Sequence, residues 1–217
     1  MYDIDLECAE LCLIDSGIKS LRDIPLGRQL CVLNLHNNSI PRIEGLDALC
    51  NLKHLDLSSN RIEKIEGLGG LHSLRTLNLS CNRLKVVEGL QNLRCLVKLN
   101  LSYNQIEDVS GFASLWGNGY KLSHIEIHGN YVQSVNRFIE TLTGCVNVQC
   151  LIVRQGPSSN PLCNQPDYRE RVLRGLPQLQ VLDGLTRDGQ QARSSDAVDN
   201  IPGENWDHLH KGIVSLS

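Results

Sequence analysis

The chain has 217 residues, with 21 Lys and Arg against 24 Asp and Glu, a formal net charge of -3 and 4% aromatic residues. That length fits one domain or one domain with a tail, and the charge balance lacks the general basic footprint of a nucleic-acid binder. No apolar run approaches the roughly 18 residues of a membrane span. Nine Cys, an odd number without a CxxC pair, argue against a disulfide framework, and with no secretory signal ahead of the first organised segment they point to a reducing compartment, cytosol or nucleus.

In chain order, the first organised segment is Leu11, Leu13, Ser16, Ile18 and Leu21. It is a degenerate copy of the repeats after it. Leu33/Leu35, Leu55/Leu57, Leu77/Leu79 and Leu99/Leu101 precede Asn38, Asn60, Asn82 and Asn104, each Asn 22 residues after the last. The apolar pairs Ile40/Ile43, Ile62/Ile65, Leu84/Val87 and Ile106/Val109 move with them, joined by Gly45, Gly67, Gly89 and Gly111. L-x-x-L-x-L-x-x-N at this period is the leucine-rich-repeat signature. Residues two apart on a strand share a face, so each Leu pair points inward and the residue between them outward. Stacked copies bury a continuous core, the Asn satisfies backbone groups of the turns, and the short convex side has room for 3₁₀ turns. A first copy carrying Asp3, Asp5, Glu7 and Glu10 suits a cap, since acidic charge discourages edge pairing.

Beyond Asn104 the step lengthens to 26 residues, through Leu122, Ile125, Ile127 and Asn130, four residues having entered near Trp116-Gly117-Asn118-Gly119. A second step of 26 gives Val148, Leu151 and Val153, with Gly156 in the Asn slot. Seven strands are expected, and a turn or two of helix over Arg137–Leu142. Asn160-Pro161-Leu162-Cys163, Tyr168-Arg169, Val172-Leu173 and Leu176–Asp183 match the C-terminal cap motif of intracellular leucine-rich-repeat proteins, with a helix from about Pro166 to Arg174 ending at Gly175. The expected architecture is an α/β leucine-rich-repeat solenoid over 1–183, with a concave parallel sheet, a convex side of 3₁₀ turns and short helices, and a helical cap over 160–183. Residues 184–217, rich in Gly, Ser, Asp and Gln, read as a disordered tail. There Trp206, Leu209, Ile213 and Leu216 fall at helical spacing, as on the apolar face of a docking helix.

Function is sought on the concave face, where the fold leaves residue choice open. Asn34, His36, Asp56, Asn78, Lys98, Asn100, Tyr103, His124, Glu126 and His128 are the candidate protein-binding residues. His124, Glu126 and His128 alternate along one strand and present two imidazoles and a carboxylate. Metal binding is disfavoured there, because the outer His residues stand roughly 13 Å apart along a strand. Neither a catalytic constellation nor a phosphate loop is present, so the expectation is a binding module without enzyme activity, cofactor, nucleic acid or membrane partner.

The insert spacing around Lys121–Ile125, the N-P-x-C cap and the runs Leu35–Asn38, Ile43–Leu46, Leu79–Asn82 and Leu101–Asn104 together resemble the N-terminal domain of the leucine-rich repeat and coiled-coil centrosomal family, over about residues 8–183. That resemblance implies a centrosomal or centriolar protein of the cytoplasm and cytoskeleton, needed for spindle-pole organisation and connected to cilia. No heptad coiled coil comes after the cap, and a monomer is expected of this short form. Two competitors share part of the pattern. One is a regulatory subunit of type-1 protein phosphatase, whose repeat has the same period. The other is an enzyme with a metal at His124, Glu126 and His128.

Overall fold

The computed structural model describes residues 9–192, so Asp3, Asp5 and Glu7 and the Trp206–Leu216 face lie outside the described residues. The first apolar residue of each pair lies in a strand and the second just past its end: β1 (Ala9–Cys12), β2 (Leu30–Asn34), β3 (His54–Asp56), β4 (Thr76–Asn78), β5 (Lys98–Asn100), β6 (His124–Glu126) and β7 (Cys150–Ile152). They pair in parallel and in chain order, with Leu33, Leu55, Leu77, Leu99, Ile125 and Leu151 in one register. Each of these side chains is fully buried, and burying one stabilises by about 1.5–3 kcal/mol relative to exposure.

A hairpin of β8 (Arg154–Gln155) and β9 (Ser158–Ser159) stands apart from the sheet, which continues with β10 (Val181–Leu182) and β11 (Leu185–Thr186). The seven expected strands are thus extended by an eighth parallel one, β10, pairing Val181 with Cys150 and Leu182 with Leu151. It is hidden in the sequence because only two of its residues pair. Antiparallel β11 then closes that side.

The Asn column ties each repeat to the one before it. Asn60 Nδ2 donates to the carbonyls of Leu35 (3.0 Å), Leu57 (3.1 Å) and Ser58 (3.1 Å), while its Oδ1 accepts the Ile40 N–H (3.0 Å). Asn82, Asn104 and Asn130 repeat the arrangement. In the seventh repeat the expectation needs correction. Gly156 does not occupy the slot; with φ +54° it turns the β8–β9 hairpin. The hairpin returns the chain so that Asn160 fills the role, donating to Ile127 O (2.8 Å) and Val153 O (3.0 Å) and accepting Val132 N–H (3.0 Å).

On the convex side 3₁₀ helices run over Leu21–Asp23, Ser110–Leu115 and Pro161–Asn164. Helix α1 (Val135–Leu142) begins two residues before the expected Arg137, because the Ser134 hydroxyl caps it by accepting Arg137 N–H. Gly45, Gly67 and Gly89 have φ near +70°, the left-handed region that favours glycine. Gly111 differs: it lies within a 3₁₀ helix, and a Cβ there would stand 1.8 Å from the Val87 carbonyl oxygen. Helix α2 (Tyr168–Gly175) starts after Asp167, itself left-handed, rather than at Pro166. Its Tyr168 and Val172 are buried, and the Tyr168 hydroxyl donates to Asp183 Oδ2. Cys12, Cys50, Cys81, Cys95, Cys145 and Cys163 stay outside disulfides, while Cys31 is disulfide-bonded, which the odd count did not anticipate.

Candidate functional site

The concave side chains are set by strand alternation: Asn34, Asp56, Asn78, Asn100 and Glu126 share one register across β2 to β6. They do not form a loose polar surface. Asn34 Oδ1 accepts the His36 N–H (3.0 Å), and Asp56, Asn78 and Asn100 do the same for Ser58, Ser80 and Ser102. Each Ser hydroxyl donates to the same oxygen. Sideways, Asn78 Nδ2 donates to Asp56 Oδ2 (3.2 Å) and Asn100 Nδ2 to Glu126 Oε2 (3.1 Å). Asn34, Asp56 and Asn78 are consequently buried. Asn78 is not the solvent-pointing side chain that alternation implies: Ser80 along the chain and Asp56 on the neighbouring strand both bond it, and it is buried. This part of the face is scaffold.

The character changes at β5 and β6. Lys98 Nζ meets Glu126 Oε1 at 3.4 Å, both largely covered. Beyond the strand ends, Tyr103 is 47% exposed with φ +54°. It belongs to a column of left-handed residues just ahead of the Asn column: Asp15, Asn37, Ser59, Cys81, then Tyr103 and Gly129. Short polar residues adopt this conformation readily; a Tyr there costs roughly 1–2 kcal/mol. The Tyr103 ring leans over the next repeat, where its edge meets the His128 ring at 5.0 Å and 84°. Gly129 makes the room, since a Cβ on it would lie 2.9 Å from Tyr103 Cδ1.

His128 is only 2% exposed, and its Nδ1 has no hydrogen-bond partner among the described residues. Burial lowers its pKa, opposed by the nearby Glu126 and Asp183 carboxylates. The imidazole is therefore neutral at pH 7. His124, also buried, shares a 2.8 Å hydrogen bond with Ser123 Oγ. Glu126 is committed to Lys98 and Asn100. His124 and Glu126 lie on β6 and His128 just past its end, the three turn to different neighbours, and no group of three His, Cys, Asp or Glu among the described residues is placed to hold a metal ion. Of the candidate residues, Lys98, Asn100, Tyr103, Glu126 and His128 form one cluster, while Asn34, His36, Asp56 and Asn78 belong to the bonded rows. Gly129 is the residue that sequence reasoning missed, although a Gly directly before an Asn-column residue was its visible signal.

Two family models match the chain: one described as leucine rich repeat over residues 51–106, and one described as leucine rich repeats over residues 28–70. Leucine-rich repeat and coiled-coil domain-containing protein 1 of Xenopus laevis is 55% identical over 209 residues, 96% of this chain and 20% of that protein. The Homo sapiens protein of the same name is 55% identical over 181 residues, 83% of this chain and 18% of that one. The chain spans about a fifth of the length of these relatives. Among solved structures, a leucine-rich-repeat protein of Leptospira interrogans superposes with TM-score 0.57 at 25% identity, covering 71% of this chain and 37% of that one. A chain of the Drosophila melanogaster SNF/U2A' complex gives 0.53 at 27% identity, with 73% and 87% covered.

Proposed function

As a leucine-rich-repeat protein homologous to leucine-rich repeat and coiled-coil domain-containing protein 1, the chain serves, we propose, as a non-enzymatic protein-binding module of the centrosome and centriole, supporting spindle-pole organisation and cilia. One observation carries the choice of face. Tyr103, in a conformation unfavourable for its side-chain type, is held half-exposed between His128 and Gly129 on a surface otherwise made of small, hydrogen-bonded residues. A backbone cost at an exposed aromatic is kept where the ring does something the fold does not need. Tyr brings contact area at modest entropic cost and often dominates interface energy. The Lys98–Glu126 pair beside it supplies charge for orienting a partner. The module works as a monomer, the two-residue β11 blunting one edge of the sheet. A structural neighbour from a named protein complex fits this kind of role. Imaging a tagged chain against a centriole marker tests the reading: coincidence supports it, and a diffuse signal in cells whose centrioles are stained contradicts it.

A further inference from the structure

The net charge hides a segregation along the solenoid. Take the eight residues ending at each inward strand residue: 26–33, 48–55, 70–77, 92–99, 118–125 and 144–151. These windows contain no Asp or Glu, though the chain's acidic content would place several there. They contain Arg28, Lys53, Arg75, Arg94, Lys98 and Lys121. All lie at strand starts or up to four residues ahead of them, on one rim of the sheet, and neighbouring repeats are tied there by backbone bonds from Arg75 N–H to Lys53 O, Lys98 N–H to Arg75 O and Lys121 N–H to Arg94 O.

Arg28, Arg75, Arg94 and Lys121 are exposed and Lys53 is half-buried. Among the described residues only Lys98 of the six has a carboxylate partner. The local potential is felt by His54, whose pKa is lowered first by burial and then by Arg75 and Lys53. At the N-terminal end the row stops at β1, where Glu10 stands opposite Val32. At the other end lie two exposed apolar residues, Trp116 and Val146. From β2 to β6 is four strand spacings, ~19 Å, which an extended peptide spans in about six residues.

We propose that this rim docks an acidic, extended segment of a partner polypeptide, laid across the starts of β2 to β6 with its carboxylates on the unpaired cations. A polypeptide fits better than a nucleic acid. The row is narrow, ends against an acidic residue and passes into apolar surface, and the Tyr120 ring beside it is engaged by the Arg94 guanidinium at 5.7 Å. Complementary charge of this kind sets orientation and encounter rate and is screened by salt. Lys98, already paired with Glu126, belongs to the Tyr103 cluster; the other five cations lie outside it, so either assignment can fail alone.

The test is fluorescence anisotropy of the full chain with a labelled peptide of eight glutamates flanked by leucines, beside a glutamine analogue and a labelled uridine oligonucleotide. The glutamate peptide should bind at ~0.05 M salt, lose affinity steeply toward ~0.5 M, and bind more tightly than either comparator. Arg75→Glu with Arg94→Glu and Lys121→Glu should weaken it roughly tenfold or more. Arg61→Glu with Lys64→Glu and Lys85→Glu, on the convex side, should leave it within about twofold. If the charge-reversed rim does not fold, the three Gln substitutions at the same positions take its place and should show the same direction of loss. No binding at low salt, equal losses from both variant sets, or tighter binding of the oligonucleotide would each overturn the assignment.

Discussion

Replacing Asn82 by Ala removes the bonds of its two Nδ2 hydrogens, shared among Leu57 O (2.9 Å), Leu79 O (3.1 Å) and Ser80 O (3.1 Å), and the one its Oδ1 accepts from Ile62 N–H (2.9 Å). All four partners are backbone groups in the packed turn between two repeats. At a net value of about 0.5–1.5 kcal/mol per bond, with the Ile62 N–H left buried, the loss should be about 3–4 kcal/mol. Asn78→Ala removes three bonds, two to Ser80 and one to Asp56 Oδ2. Asn78 is itself covered, so its loss is not negligible, but the Ser80 hydroxyl can turn to another partner, and about 1–2 kcal/mol is expected. Equilibrium urea unfolding monitored by circular dichroism measures both, with an unchanged slope as the check that cooperativity is kept. A loss within about 0.5 kcal/mol of the parent for Asn82→Ala, or a larger cost for Asn78→Ala, would refute the structural role given to the Asn column.

Gly111→Ala should cost more than about 2 kcal/mol through the clash with Val87 O, whereas Gly117→Ala, where a Cβ meets nothing within 4 Å despite φ +93°, should cost less in the same melts. His54 and His128 both have lowered pKa values in the folded chain; below the usual histidine value of about 6.5 the unfolded chain takes up these protons first, so stability should fall as pH drops from there toward the folded values. His54→Gln with His128→Gln should flatten that part of a stability–pH curve, and an unchanged slope would contradict it. Native alkylation at pH 8 read by mass spectrometry should spare Cys145 and Cys163, whose pKa values burial raises to about 12 and about 11, and modify exposed Cys50 first.

The scaffold was legible in the sequence because four successive repeats state the same pattern, and the Leu and Asn columns fall where strand alternation puts them. What escaped reading was set by contacts between chain segments. Asn160 could not be matched to the ladder by counting, since the β8–β9 hairpin changes the spacing between Asn130 and the next column member. Strand β10 is too short for alternation to show. Alternation placed Asn34, Asp56 and Asn78 on the open side correctly, but could not reveal that neighbouring residues bond and cover the row. For the same reason His128, chosen as an accessible contact residue, is buried beneath Tyr103, and truncating it would open a gap. Tyr103 escapes this covering, because its position past the strand end keeps half the residue exposed.

Capture of a partner through the ring of Tyr103 is the step on which the proposed function stands. Tyr103→Asn isolates that ring, because Asn37 occupies the equivalent left-handed position in an earlier repeat and carries the same backbone there. The measurement is recruitment of the tagged variant to centrioles, scored beside the melting temperature of the purified protein and compared with Lys64→Glu/Lys85→Glu on the convex side. Tyr103→Asn should reduce recruitment severalfold at an unchanged or higher melting temperature, with the convex pair behaving as the parent. Undiminished recruitment of Tyr103→Asn, or loss confined to the convex pair, would contradict a role for the ring.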